Sequence, residues 1–291
     1  MYSLRELETF VAVVENGGIV SAASALRLSP ATVSLRLSKL EKALKTVLVF
    51  RDSRKLQLSP AGDVFYQRVG HILDALSEAE HQIGAKGSDV RGNLRATMPP
   101  WVFSRFVMPN LARFEQAYPD LTLDFLINDH FVNVVEDKQD VAIRVGKLAD
   151  SALVARKLVS NHRLLCASPE YIDRFGLPRS LADLHHHYWV CLPWQRQLKV
   201  TEGGRTSTLN VRTRFTVSNS DNMTQAVLAG HGIGIKSLIA VKDELEREAL
   251  VEILPGLLAD NDAPVWFLKP QNSLATRKTD VFFEFMKSVF Q

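Results

Sequence analysis

Cysteine is scarce in this chain, 2 residues in 291, and Cys166 and Cys191 show neither CxxC spacing nor a disulfide framework. That excludes a disulfide-stapled fold and predicts two buried free thiols in a reducing compartment. No apolar run approaches the ~20 residues that a bilayer-spanning helix needs. Arg5, Glu6 and Glu8 interrupt the opening ten residues, where a secretory leader would carry its apolar stretch. The expected location is the cytoplasm, with no membrane partner. Catalytic signatures are missing as well: there is no G-x-S-x-G elbow or P-loop, and His162 and His231 lack a nucleophile at a recognised spacing. Gly230-His231-Gly232-Ile233-Gly234 lacks the strand-first context of a dinucleotide fingerprint, so it reads as a turn into a buried strand. His185-His186-His187 are consecutive and cannot all face one ion, and no cysteine or carboxylate stands at ligand spacing nearby. Neither an enzyme nor a metal or cofactor site is expected.

What the chain does have is an apolar content of 46%, enough for real cores, and a length suited to about two domains. Its net charge of +3 is unevenly placed. Residues 1–60 hold nine Lys/Arg against five Asp/Glu, so an excess of +4 lies there and the remainder sums to about −1. A basic head on a near-neutral body is the electrostatic footprint of a nucleic-acid binder.

Within that head, Ser3-Leu4-Arg5-Glu6 has the capping-box pattern, and Leu4, Leu7, Phe10, Val11 and Val14 follow at helical spacing, predicting a helix from about Leu4 to Asn16. Gly17-Gly18 stops it. A short second helix, from about Val20 to Arg27, is built of small residues that permit a close helix crossing. Ser29 caps a third helix and Pro30 suits its first turn. There Val33, Leu37, Leu40 and Leu44 form one apolar stripe, while Ala31, Thr32, Ser34, Arg36, Ser38 and Lys39 leave the other face slim and polar, as a DNA major groove requires. An ordinary amphipathic surface helix fits the segment equally well, so its neighbours decide. Downstream, two short apolar runs within Val47 to Leu58 flank a charged tip, predicting a hairpin wing whose Arg51, Arg54 and Lys55 reach phosphates or the minor groove. A solvated turn is the plainer reading of that cluster.

The first sixty or so residues resemble the winged helix-turn-helix of LysR-type transcriptional regulators. The match is carried by Leu7, Phe10, Val13, Glu15, Gly17, Ala22, Ala23, Leu26, Leu28, Ser29, Val33, Ser34, Leu40-Glu41, Leu44, Leu48, Arg51, Arg54 and Leu58-Ser59-Pro60-Ala61-Gly62. It implies contacts to double-stranded DNA by Ser29, Pro30, Ala31, Thr32, Ser34, Leu35, Arg36, Ser38, Lys39, Arg51, Arg54 and Lys55, with Thr32 and Ser34 nearest the base edges. Three positions depart from the family pattern. Lys45 stands where glycine is usual, Val49 where phenylalanine is usual, and Leu35 where arginine is common. Leu35 can meet a thymine methyl but cannot replace an arginine's hydrogen bonds.

From Pro60 to about Ala85 the chain reads as one long helix in which Phe65, Val69, Ile72, Leu76, Ala79 and Ile83 alternate spacings of four and three, the period of a coiled-coil seam. Periodicity alone also allows a helix packed on its own domain. A rod roughly 38 Å long, at ~1.5 Å per residue, favours a seam between two copies, giving a homodimer or homotetramer. The resemblance agrees, since this family dimerises through its linker helix. Gly84, Gly87, Ser88 and Gly92 mark a hinge.

After Gly92, strands alternate with helices. Strands are predicted at Leu94–Thr97, Leu121–Ile127, Val141–Val145, Leu164–Ala167 and Val190–Leu192, two more over Lys199–Val217 about Gly203-Gly204, and a buried one at Gly232–Ile235. Helices are predicted at Phe103–Ala117, Phe131–Asp137, Pro169–Phe175, 221–229 and Thr279–Phe290, the last packing back on the first lobe. The pattern implies a mainly parallel sheet with helices on both faces. Met108-Pro109, Tyr118-Pro119, Asp140-Val141-Ala142-Ile143-Arg144, Ala167-Ser168-Pro169-Glu170-Tyr171 and Ala229-Gly230-His231-Gly232-Ile233-Gly234 resemble the effector-binding part of the same family, a two-lobed, periplasmic-binding-protein-like (type II) α/β domain. His130 departs from a frequent arginine there.

The expected organisation is a winged head over 1–59, a dimerisation helix over 60–87, one lobe from 92–162 with 268–291, and a second lobe over 163–267. Ligands of open α/β sheets sit beyond the carboxyl ends of strands, which selects Thr97, Met98, Pro100, Asn128, Arg144, Pro193, Trp194, Ser218 and Asn219. Arg144 would pair with an acidic effector, a small carboxylate, or else form a structural ion pair with Asp140 or Glu136. Trp194 would supply an apolar wall. The resemblance implies control of transcription by an effector in the interlobe cleft, with RNA polymerase as a further candidate partner.

Overall fold

A computed structural model describes residues 2–51, 56–84, 90–129, 139–148, 153–271 and 277–291. The chain divides into two compact units, Met1–Asp89 and Val90–Gln291.

In the first unit, α1 (Leu4–Glu15), α2 (Ile19–Leu26) and α3 (Pro30–Leu44) precede the strands β1 (Val49–Arg51) and β2 (Leu56–Leu58) and the long helix α4 (Pro60–Gly84). Phe10, Val13, Ala22, Ala23, Val33, Leu37, Leu40 and Leu48 are buried together, the two alanines letting α2 lie close to its neighbours. The strands pair antiparallel, Val49 opposite Leu58, as a wing requires. Glu41 Oε1 fastens that wing to α3 by accepting from the Leu48 and Val49 amides at 2.9 and 3.1 Å. Ser59 Oγ donates to the Val47 carbonyl and accepts from the Gly62 amide. Gly62 is required at this crossing, because a Cβ there would stand 2.0 Å from the Leu48 carbonyl oxygen. The wing tip, with Arg54 and Lys55, lies outside the described residues, as does the Arg51 side chain.

The long helix corrects part of the expected seam. The Phe65 ring packs tilted against Phe10 with centroids 5.6 Å apart, and Val69 is buried in the same core, so these two positions pack on their own head. Further along, Ile72 and Leu76 are 53% and 36% exposed. The Ala79 and Ile83 side chains fall outside the description, as do Gly87 and Ser88 of the expected hinge.

The second unit is two-lobed. Its first lobe runs through β3 (Gly92–Met98), α5 (Pro100–Val102), α6 (Leu111–Ala117), β4 (Leu121–Ile127), β5 (Val141–Val145) and β6 (Leu153–Val159). The second lobe contains β7 (Arg163–Ala167), α7 (Pro169–Phe175), β8 (Trp189–Cys191), β9 (Gln197–Glu202), β10 (Arg205–Asn210), β11 (Thr213–Thr216), α8 (Ser220–Leu228), β12 (Gly234–Ser237), α9 (Lys242–Glu246) and β13 (Val251–Ile253). The chain then returns to the first lobe as β14 (Val265–Pro270) and α10 (Arg277–Val289), whose Phe282, Phe285 and Met286 enter that lobe's core.

Each lobe mixes parallel and antiparallel pairings instead of being mainly parallel. The sheet of the first has the order β4-β3-β5-β14-β6, with β14 antiparallel to both neighbours. In the second lobe β7 is antiparallel to β12 and β13, while β8 runs parallel to β11 and bridges in parallel to Ile233 beside β12. Each lobe therefore has one reversed strand second from an edge, and that strand is the one arriving from the other lobe. Because β14 starts at Val265, the expected boundary at 268 cuts through a strand of the first lobe. The expected helix from Phe103 is broken into a π turn, Phe103–Val107, a 3₁₀ turn, Met108–Asn110, and α6. Pro109 explains the break, since it has no amide to donate and its ring crowds the carbonyl four residues back. The Asn110 side chain satisfies the Phe106 carbonyl instead, at 2.9 Å. The stretch expected as two strands about Gly203-Gly204 holds a hairpin, β9 with β10, plus β11 in a different sheet. The expected helix at 131–137, and His130, lie outside the described residues.

Candidate functional site

The third helix is positioned from both ends. Ser29 Oγ accepts from the Thr32 amide at 3.1 Å, and the two hydroxyls lie 2.8 Å apart. Val33, Leu37 and Leu40 are buried. A second stripe, Ala31, Leu35, Ser38 and Lys42, repeats the same four-three-four spacing two residues out of step, so at 100° per residue it occupies the opposite face. Leu35 on that face is 70% exposed. The two cations expected beside it are engaged with α1. Arg36 donates to Thr9 Oγ1 at 3.4 Å and Lys39 Nζ to Glu6 Oε1 at 2.9 Å. Glu6 closes the capping box with Ser3, and hydrogen bonds from Ser3 and Lys39 hold its carboxyl down at about 2. Lys42, which sequence reasoning passed over, follows Leu35 by seven residues on the outward stripe; its spacing was the available signal.

Between the lobes lies a cavity of about 370 Å³ at the carboxyl ends of β3, β4 and β5. Of the residues expected there, Asn128, Arg144 and Trp194 line it. Met98 instead joins the core of the first lobe and Thr97 is buried in the sheet beside Ala142, as strand alternation dictates. Pro100 is buried at the start of α5, while its neighbours Pro99 and Trp101 face the cavity. Pro193 and Ser218 do not line it, and Asn219 is spent as a helix cap, its Oδ1 accepting from the Asp221 and Asn222 amides. Asp140, the alternative partner weighed for Arg144, accepts from the Arg95 amide at 2.9 Å and lies 3.2 Å from Lys278.

Sequence reasoning missed Asp129, Lys147, Arg163, Ser220 and Lys236, all of which line the cavity. Lys236 had a readable signal, a lone charge closing the apolar run from Ile233 to Ile235. It is 4% exposed and donates to the Ser220 carbonyl at 2.7 Å and to Ser220 Oγ at 3.3 Å. Burial pulls its ammonium down to about 8, against the pull of Cys166, Asp221 and Asp129. Burial likewise lowers Arg163 and pushes the Cys166 thiol up to about 12, which leaves that sulfur protonated and unreactive. From the first lobe, Asp129 accepts from the Ser220 amide at 2.5 Å, crossing the cleft. Among the described residues, no cluster of metal-ligating side chains occurs, and no helix is long and apolar enough to cross a membrane.

Two family profiles match this chain: a bacterial regulatory helix-turn-helix protein of the lysR family over residues 4–63, and the LysR substrate binding domain over residues 87–291. The uncharacterized HTH-type transcriptional regulator YhjC of Escherichia coli K12 is 30% identical over 298 residues, covering 100% of this chain and 99% of that protein. The solved structure of CrgA, a LysR-type transcriptional regulator from Neisseria meningitidis, superposes with a TM-score of 0.64 at 26% identity over the whole of both chains. That of the Vibrio cholerae virulence activator AphB gives 0.59 at 28% identity, covering 98% of this chain and 99% of that one. Winged head, long helix and two-lobed domain thus recur together in full-length relatives, and this chain belongs to the LysR-type transcriptional regulators, proteins that join a DNA-binding helix-turn-helix to an effector-binding domain rather than enzymes.

Proposed function

We propose that this regulator responds to a small carboxylate held between its lobes by Arg144, Arg163 and Lys236. The carrying observation is the charge of the cavity wall, where Arg144, Lys147, Arg163 and Lys236 outnumber the single acid, Asp129, among the described lining residues. One of these cations, Lys236, is almost wholly buried at 4% exposure, and a charge so placed is stabilised by an anion beside it. Trp194 supplies an apolar wall, and Asn128 Oδ1, buried with no protein donor among the described residues, offers an acceptor to a ligand hydroxyl. The protein works in the cytoplasm as a dimer or tetramer, paired through α4 at Ile72, Leu76, Ala79 and Ile83. It reads a two-fold-symmetric operator with Ala31, Thr32, Ser34, Leu35, Ser38 and Lys42, supported by Ser29, Pro30 and the wing cations Arg51, Arg54 and Lys55. RNA polymerase is a further partner where it activates.

A thermal-shift screen of small carboxylates against their neutral amides tests the effector class. A ligand at a hundredfold its dissociation constant adds about 2.7 kcal/mol of stability. Stabilisation by an acid and not by its amide is the expected result, and equal responses to both would reject a carboxylate.

A further inference from the structure

We infer that Asp129 is an internal occupant of the cleft's anion seat, which a carboxylate effector must displace. This rests on the carboxylate reading of the cleft and adds the competitor already inside it. The polar groups at the start of α8 divide as follows. Asn219 Oδ1 takes the Asp221 and Asn222 amides, which leaves the Ser220 amide for an acceptor from outside the helix, and the Asp129 carboxylate fills that place. Lys236 donates to the other two polar atoms of the same serine, its carbonyl and hydroxyl, so its ammonium stands beside the seat. The seat therefore combines a helix N-terminus with a buried cation, both of which favour negative charge.

The nearby cation at the rim is differently served, for Lys147 pairs with Asp260 at 2.8 Å. Asp129 belongs to the first lobe and Ser220 to the second, so the bond spans the cleft as a ligand would. An effector carboxylate would bring the same acceptor to the Ser220 amide beside Lys236, and both cannot be accommodated. Binding then exchanges an interlobe contact made by the chain for one made through the ligand. Loss of Asp129 would not part the lobes, since Ser104 still meets Asp221 at 3.3 Å, and Arg105 still meets Glu244 and Asp243.

The full-length protein, Asp129→Ala and Asp129→Asn are compared by amide hydrogen exchange and by succinate titration. In Asp129→Ala, amides at the start of α8 should exchange faster. Acetate should slow them again while leaving the wild type unchanged, with sodium chloride at equal ionic strength having no effect. Succinate should bind Asp129→Ala more tightly than wild type by about ten-fold, with Asp129→Asn between them. Unchanged exchange, or weaker succinate binding by Asp129→Ala, would overturn the proposal. Faster exchange with an unchanged succinate affinity overturns displacement alone. Faster exchange with no carboxylate bound by any of the three proteins overturns displacement together with the carboxylate reading.

Discussion

Lys39 and Glu6 join the third helix to the first across 2.9 Å, and the same glutamate closes the capping box at the start of α1. One carboxylate therefore fixes both where α1 begins and how α3 lies on it. Its charge is held by hydrogen bonds from Ser3 and Lys39, which lower its pKa from 4.5 to about 2. A carboxyl lowered on folding contributes stability that is fully present above the unfolded value and is lost as pH falls toward the folded one. Thermal melts at about pH 5 and about pH 3 should show the head losing stability over that interval. Glu6→Gln should be less stable at the higher pH and less sensitive to the change.

Lys45 ends α3 in the left-handed region, at φ +54°, where a side chain is strained and glycine is not. Lys45→Gly should raise the stability of the head by about 1 kcal/mol in chemical denaturation. Gly62→Ala acts in the opposite sense, because the added carbon would stand 2.0 Å from the Leu48 carbonyl oxygen. It should cost upwards of about 2 kcal/mol and shift the wing against α4.

Lys42 lies on the outward stripe of α3 with Leu35. If it meets a phosphate, Lys42→Ala should weaken binding to all duplexes alike and flatten the salt dependence by about 0.9 in log–log slope. Leu35→Ala should instead weaken binding mainly where a thymine methyl is offered, with the salt slope intact. Anisotropy titrations over a salt series separate the two.

Lys236 is buried, and its ammonium is pulled down to about 8 mainly by that burial, with Cys166, Asp221 and Asp129 acting to raise it and Arg105 to lower it. The charged form is the one that attracts an anion. Carboxylate affinity should therefore hold below about pH 8 and fall as pH rises through it. In Lys236→Met the affinity should be low and flat across the same range, as isothermal titration would record.

Much of this architecture is legible in the residues. The capping box, the stripe from Val33 to Leu44, and the strands at Leu121–Ile127 and Val141–Val145 are local patterns, and local patterns survive folding. The parts that were not legible depend on distant partners. Phe65 has the period of a seam, yet the aromatic ring of Phe10 claims it. The return to the first lobe was expected at 268, but no strand was expected over Val265–Pro270, because its place between β5 and β6 is set by long-range register. The cleft was half visible for a similar reason. Strand ends point to Asn128 and Arg144, whereas Lys236 reaches Ser220 only through the packing of β12 against α8, and Asp129 joins them only when the lobes meet.

The third helix is expected to select a DNA sequence, and a carboxylate in the cleft to alter that selection. The most direct measurement is an anisotropy titration of the full-length protein on the promoter DNA beside its own gene and on a scrambled duplex, at physiological salt, with and without a panel of small carboxylates. The expected result is a preference for the promoter of at least about a thousandfold, abolished by Ser34→Ala with Leu35→Ala and shifted by a carboxylate in the wild type but not in Lys236→Met. Equal affinity for both duplexes under every condition would contradict it.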